Sequence, residues 1–303
     1  MRVFVAGATG AVGRLLVPML VAAGHEVTGI SRTPAGTERI KGLGATGVQV
    51  DALDAGALRG ALRAAAPETI IHQLTDLSGA DGAANGRIRR EGTRNLVEAA
   101  KAADVGRIVA QSISWAYAPG EGPADEAVPL DTTDALPRAA IVTAVRELEE
   151  TAAELETAVV LRHGLLYGPG TWYAPGGAVA AALAGDRSAR FLGSTVPNDA
   201  VGSFVHVADA AGAALAALDW PGGPVNIVDD EPAPAREWLP ALAEALGVPA
   251  PLPLSAPVSG PVAGRQGWER GALNGLARSR GWRPGRPTWR TGFAAQCDTA
   301  EFG

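Results

Sequence analysis

Two rhythms of apolar and polar residues alternate along the first half of the chain. Short apolar runs at residues 2–6, 26–31, 48–50, 69–74, 107–112 and 157–162, each bounded by glycine or polar residues, predict strands. Between them, residues 11–23, 54–65, 86–103 and 137–155 carry helical spacing, with a weaker helix near 36–43. Strand–helix alternation of this kind builds an α/β fold, a doubly wound parallel sheet with helices on both faces and a ligand crevice at the carboxyl ends of the strands. Past residue 165 the texture changes to longer loops, more proline and scattered tryptophan. Tyr167-Gly168-Pro169-Gly170 marks a turn and Pro175-Gly176-Gly177 opens a small helix. An alanine-rich helix at 208–218, a strand at 225–228 and a helix at 235–246 follow, and the proline-rich run 249–261 reads as a loop on the substrate side. The expected organisation is a first domain over 1–165, with 201–228 returning to it, and a smaller substrate-binding subdomain over 166–200 and 229–303.

The first strand runs into MRVFVAGATGAVG, whose Gly7, Gly10 and Gly13 open the first helix. That order suits a Rossmann-type dinucleotide site: Gly7 for the tight turn, Gly10 for close approach of backbone N–H groups to a diphosphate, Gly13 for helix–strand packing. Thr9, Ala11 and Val12 complete the candidate loop. The end of the second strand, Ser31-Arg32, offers a hydroxyl and a guanidinium where an acid would otherwise take the ribose 2′-OH, which favours NADP over NAD.

Of 303 residues, 47% are hydrophobic, ample for a buried core, and the formal net charge of −6 argues against nucleic acid and anionic membrane as partners. A first strand starting at Arg2 and interrupted apolar runs speak for a cytoplasmic protein with no membrane partner. Cys297 is the single cysteine and has no internal partner for a disulfide.

Taken with the glycine loop, the segments Glu91–Leu96 (EGTRNL), Gln111–Tyr117, Leu161–Gly170 (LRHGLLYGPG), Phe204–Asp209 (FVHVAD), Asn226–Glu231 and Gly281–Pro284 make the chain resemble, over nearly its whole length, the extended short-chain dehydrogenase/reductases that include nucleotide-sugar epimerases and dehydratases. The resemblance implies that Asp51, Ala52 and Leu53 flank the adenine, that Leu74, Thr75 and the segment after Arg162 approach the ribose and nicotinamide, and that a homodimer forms. It also implies a catalytic Tyr with a Lys one helical turn later, where the ammonium lowers the phenol's pKa.

Here the chain departs from the family. Four residues beyond Tyr117, Tyr167 and Tyr173 stand Glu121, Thr171 and Gly177, and the two lysines are Lys41 and Lys101. Aligned on Glu149, the expected Tyr and Lys positions hold Ile141 and Val145, and the helper hydroxyl position holds Ile113. Replacement donors are sought in Tyr117, Tyr167, Ser112 and His163, each also readable as a packing residue. Ser114, Trp115, Trp172 and Tyr173 follow strands five and six and suggest an aromatic, largely apolar substrate pocket. The run Arg87, Arg89, Arg90 either meets an acidic substrate or faces solvent, and Asp229-Asp230-Glu231 reads as a solvated or helix-capping loop. Glu147, Glu149, Glu150, Glu154 and Glu156 read as the outer face of their helix. The functional expectation is an NAD(P)-dependent enzyme acting on a hydrophobic carbonyl, imine or enone with a non-standard proton donor. The alternative is a redox-neutral cyclase, dehydratase or isomerase, or a ligand-binding protein.

Overall fold

A computed structural model describes residues 1–77, 79–191, 194–251 and 269–296, which fall into two units. The first comprises Met1–Ser112, Thr132–Arg162 and Ala210–Val225; the second comprises Ile113–Asp131, His163–Asp209 and Asn226 onward. Cys297 and most of the proline-rich 249–261 run lie outside the described residues.

In the first unit, β1 (Arg2–Ala6), β2 (Glu26–Ser31), β3 (Thr46–Gln49), β4 (Thr69–His72), β5 (Arg107–Ile113), β6 (Thr157–His163) and β10 (Gly223–Ile227) form a seven-stranded sheet in the order β10-β6-β5-β4-β1-β2-β3. Pairing is parallel across β3-β2-β1-β4-β5. The crossovers are α1 (Gly13–Ala22), α2 (Pro34–Gly42), α3 (Ala55–Ala65), α4 (Gly82–Arg87) leading through a π-turn at Ile88–Gly92 into α5 (Thr93–Ala102), and α6 (Arg138–Ala152). Parallel strands covered on both faces read as continuous apolar runs, and β4 is buried at all four positions. One face of the sheet packs Phe4, Ile30, Ile70 and Ile108 against Leu58 and Leu62 of α3 and Leu96 and Val97 of α5. Strand order reverses between β1 and β4, and that is where a parallel sheet opens a ligand crevice at its carboxyl ends.

The second unit holds β7 (Leu165–Tyr167) paired in parallel with β9 (Phe204–His206), and β8 (Val201–Gly202) antiparallel to β11 (Ala233–Pro234). Helices α7 (Ala178–Leu183), α9 (Ala235–Ala245), α10 (Gly275–Ser279) and α11 (Trp289–Ala295) belong to it, and α8 (Val207–Ala216) starts there. Its core is aromatic: Phe204 meets Tyr167, Tyr173, Trp238 and Phe293 edge-on at centroid distances of 5.1–6.3 Å. The Asp229–Glu231 run, expected to be solvated or capping, ties this unit together. Buried Asp229 accepts from the Trp289 N–H at the start of α11, Asp230 pairs with Arg278, and Glu231 pairs with Arg290.

Leu58 is fully buried between α5 and the sheet. Leu58→Ala should lower unfolding free energy by about 2–5 kcal/mol, read from the urea midpoint, through lost transfer energy and the cavity left behind.

Candidate active site

The glycine loop is shaped by what it excludes. Gly7 adopts φ +93°, and a Cβ there would lie 2.4 Å from the backbone oxygen of Gln73, just past the end of β4. A Cβ on Gly13 would fall 2.2 Å from Gly7 O. At Gly10 the only close atom is Gly7 O, at 3.4 Å, so backbone is exposed on the side where a diphosphate approaches. No side chain caps α1, so its first turn presents the positive end of the helix dipole, although the Arg14 and Leu15 N–H groups already donate to the Gly10 and Val12 carbonyls. This cradle fits a dinucleotide diphosphate. Thr9 and Ala11 lie half-buried on it, and Val12 is buried beneath.

Around the cradle the other candidate cofactor residues are fixed by local bonds. The Ser31 hydroxyl accepts from Thr33 N–H, while Arg32 extends its guanidinium to Asp76 at 3.5 Å and stays mostly exposed. Asp51 accepts from Leu53 N–H at 2.9 Å, and the Asn95 amide holds Ala52 O at 3.0 Å, which pins the 51–53 turn. Leu74 is held at both ends: its N–H donates to His72 Nδ1 and its carbonyl accepts from the Gln111 amide. With Nδ1 accepting, neutral His72 carries its proton on Nε2 and donates to Thr93 Oγ1 at 2.7 Å. Thr75 is exposed beside it.

The sought-after proton donors are engaged or enclosed. Ser112 donates to Glu149 Oε1 at 2.6 Å, and the same carboxylate takes a bidentate pair from Arg162, at 3.0 and 2.6 Å. Glu149 thus points inward rather than onto the outer face of α6: it follows Val145 and Leu148 on the buried stripe of that helix. Ile141 and Val145 present no donor, half-buried and buried respectively. In the second unit Tyr117 is buried and donates to Asn226 Oδ1 at 2.6 Å, while the Asn226 amide holds Ala124 O and Leu273 O. Tyr167 is fully buried with its hydroxyl over Gly292, where a Cβ would lie only 2.0 Å away, and burial raises its pKa above the ordinary phenol value. Such a phenol is a poor acid. His163 is buried with neither ring nitrogen hydrogen-bonded, and desolvation lowers its pKa to about 4. His206 accepts from Ala208 N–H, and Asp209 takes the Gly285 and Arg286 amides, so His206-x-x-Asp209 anchors a turn.

Of the expected substrate residues, buried Ser114 and half-buried Trp115 line a cavity of about 10 Å³ with Leu165, Ser203 and Glu269. Tyr173 sits in the aromatic core, and Trp172 meets Phe191 at its edge.

Residues 3–227 match the model of the NAD dependent epimerase/dehydratase family. The chain belongs to that family. A Streptomyces sp. protein, 3-diazoavenalumate denitrifying reductase, is 43% identical over 98% of this chain and its own full length. With a reductase this similar, the chain is an NAD-dependent oxidoreductase-type enzyme. The Thermus thermophilus UDP-glucose 4-epimerase, solved with NAD, is 27% identical with a TM-score of 0.74, covering 98% of each chain. The Thermotoga maritima UDP-glucose 4-epimerase shares the fold at 19% identity, TM-score 0.75, over 98% of this chain and 97% of that one. Among the described residues no helix is long and apolar enough to cross a membrane.

His72, His163 and His206 all have folded pKa values of about 4, below the ordinary 6.5, with desolvation the leading cause. Between these values the unfolded chain binds protons that the folded chain does not, so their contribution is whole above 6.5 and is lost as pH falls toward 4. The urea midpoint should fall as pH drops through that window, and His163→Leu should flatten the fall.

Proposed function

We propose that this chain is an NADPH-dependent reductase whose substrate is an aromatic diazo compound, from which it removes dinitrogen. What carries the reading is that Ile141 and Val145, the residues that the family resemblance aligns with a phenol and an ammonium, are aliphatic. A carbonyl acceptor develops negative charge on oxygen as hydride arrives, and that charge calls for a positioned acid. A diazo arene does not: the carbon–nitrogen bond breaks, dinitrogen leaves, and a carbon–hydrogen bond forms in its place. Any phenolate oxygen left on the ring takes its proton from water afterwards. Such an acceptor suits a site without a relay better than the expected carbonyl, imine or enone. The name of the Streptomyces relative, which pairs a diazo substrate with a denitrifying reductase, supports the same reaction class.

Reduced nicotinamide, when bound, would supply the hydride. The residues that would hold it are Gly7, Gly10 and Gly13 with the first amides of α1 at the diphosphate, Asp51–Leu53 near the adenine, and Leu74 and Thr75 toward the ribose. Arg32 gives the preference for the 2′-phosphate, since its exposed guanidinium is free to turn from Asp76 to a doubly charged group. The chain's remaining task is position. Preorganised alignment of hydride and acceptor supplies the rate, and apolar walls at Ile141 and Val145 keep water from the reactive diazo group.

Reduced nicotinamide absorbance should fall in step with dinitrogen release when an arenediazonium carboxylate is supplied, and should stay constant with hydrophobic ketones. Turnover of ketones without turnover of the diazo arene contradicts the reading. Tyr117→Phe should retain activity within about twofold while costing about 1 kcal/mol of stability through the lost bond to Asn226. Arg32→Ala should raise KM for NADPH by about tenfold and leave that for NADH unchanged.

A further inference from the structure

The basic run at 87–90 divides by direction. Arg87 pairs with Glu91 at 2.9 Å and Arg90 with Glu147 at 3.7 Å, both on the surface. Arg89 points inward and is only 6% exposed. No carboxylate or carbonyl among the described residues bonds its guanidinium. Burial lowers its pKa to about 10, which leaves it a cation at neutral pH. A buried charge without a counter-charge is costly. An anion brought to it would offset that cost.

Its surroundings say which anion. Arg89 lies on the π-turn between α4 and α5, and π-turns occur often at functional sites. The turn follows β4, so it stands at the carboxyl end of the sheet. Two observations agree: the Arg89 charge contributes to the lowered pKa of His72 at the end of β4, and a Cβ on Gly92 would lie 3.7 Å from Leu74 Cδ1. On its other side this segment packs on α6, the helix of Ile141 and Val145, with Gly86 facing Ala144. The diphosphate cradle is built by the loop after β1, of which Arg89 is no part.

We propose that Arg89 is a binding residue for a carboxylate carried by the aromatic substrate, holding the far end of the arene through a charge-assisted bidentate bond. This rests on the reductase reading above and adds the substrate's charge to it. The test uses the intact chain with NADP+ bound, so no turnover occurs, and the unreactive probes cinnamate and methyl cinnamate, followed by calorimetry. Cinnamate should bind about tenfold or more tighter than its ester, the value of a charge-assisted bond. Arg89→Gln should abolish that preference, Arg89→Lys should keep part of it, and NADP+ affinity should be unchanged in both. Three results overturn the proposal: equal affinity of the unsubstituted chain for acid and ester, equal weakening of both probes in the variants, or loss of NADP+ affinity with the preference intact. The first needs no variant and so does not depend on the variants folding. No nitrogen loss is measured, so this test and the diazo assay fail independently.

Discussion

The close approach of two backbones governs this structure. Gly7 leaves β1 at positive φ directly against the Gln73 carbonyl, with no space for a side chain between them, and Gly13 presses the start of α1 onto the same turn. Because β1 and β4 are adjacent at the point where strand order reverses, this contact fixes both walls of the crevice at once. The start of α1, with no side-chain cap, forms one wall. From the other, Leu74, locked by His72 and Gln111, leads toward the π-turn and Arg89. A larger residue at Gly7 would displace the strand ends and the cofactor cradle together.

A second constraint concerns charge. The polar groups at the strand-five end of the first unit are committed to one another: Ser112 and Arg162 share the Glu149 carboxylate, and the side chains at 141 and 145 are aliphatic. Within the second unit, Tyr117 is held by Asn226, Tyr167 is buried over Gly292, and His163 is neutral. Chemistry that needs a general acid has few groups to draw on here. The proposed reaction, in which dinitrogen departs, needs none at the moment of hydride transfer, and aliphatic side chains at 141 and 145 suit it.

The sheet was legible because parallel strands buried on both faces leave continuous apolar runs, and the glycine loop because only glycine fits its contacts. Edge strand β3 spans Thr46–Gln49 rather than 48–50, since its positions are half-buried or exposed and give little apolar signal. Strand β4 stops at His72, two residues early, because the Leu74 N–H turns to the His72 ring. The helix expected from 86 begins at Gly82, where Asp81 caps the Ala83 and Ala84 amides, a signal readable from the sequence and missed. Glu149 and Arg89 were also readable: each keeps helical spacing with buried neighbours, Glu149 beside Val145 and Leu148, Arg89 four residues before Thr93. The aromatic core was not, since Tyr167, Phe204, Trp238 and Phe293 come together from segments far apart in sequence.

In the proposed reaction, hydride reaches the acceptor without proton donation from a side chain. The most direct measurement is the pH dependence of single-turnover oxidation of reduced nicotinamide with an arenediazonium carboxylate, in ordinary and deuterated water. A rate constant that is flat across neutral pH, with a solvent isotope effect close to unity, is the predicted result. A rate that titrates with one group near neutrality and slows severalfold in deuterated water would contradict it.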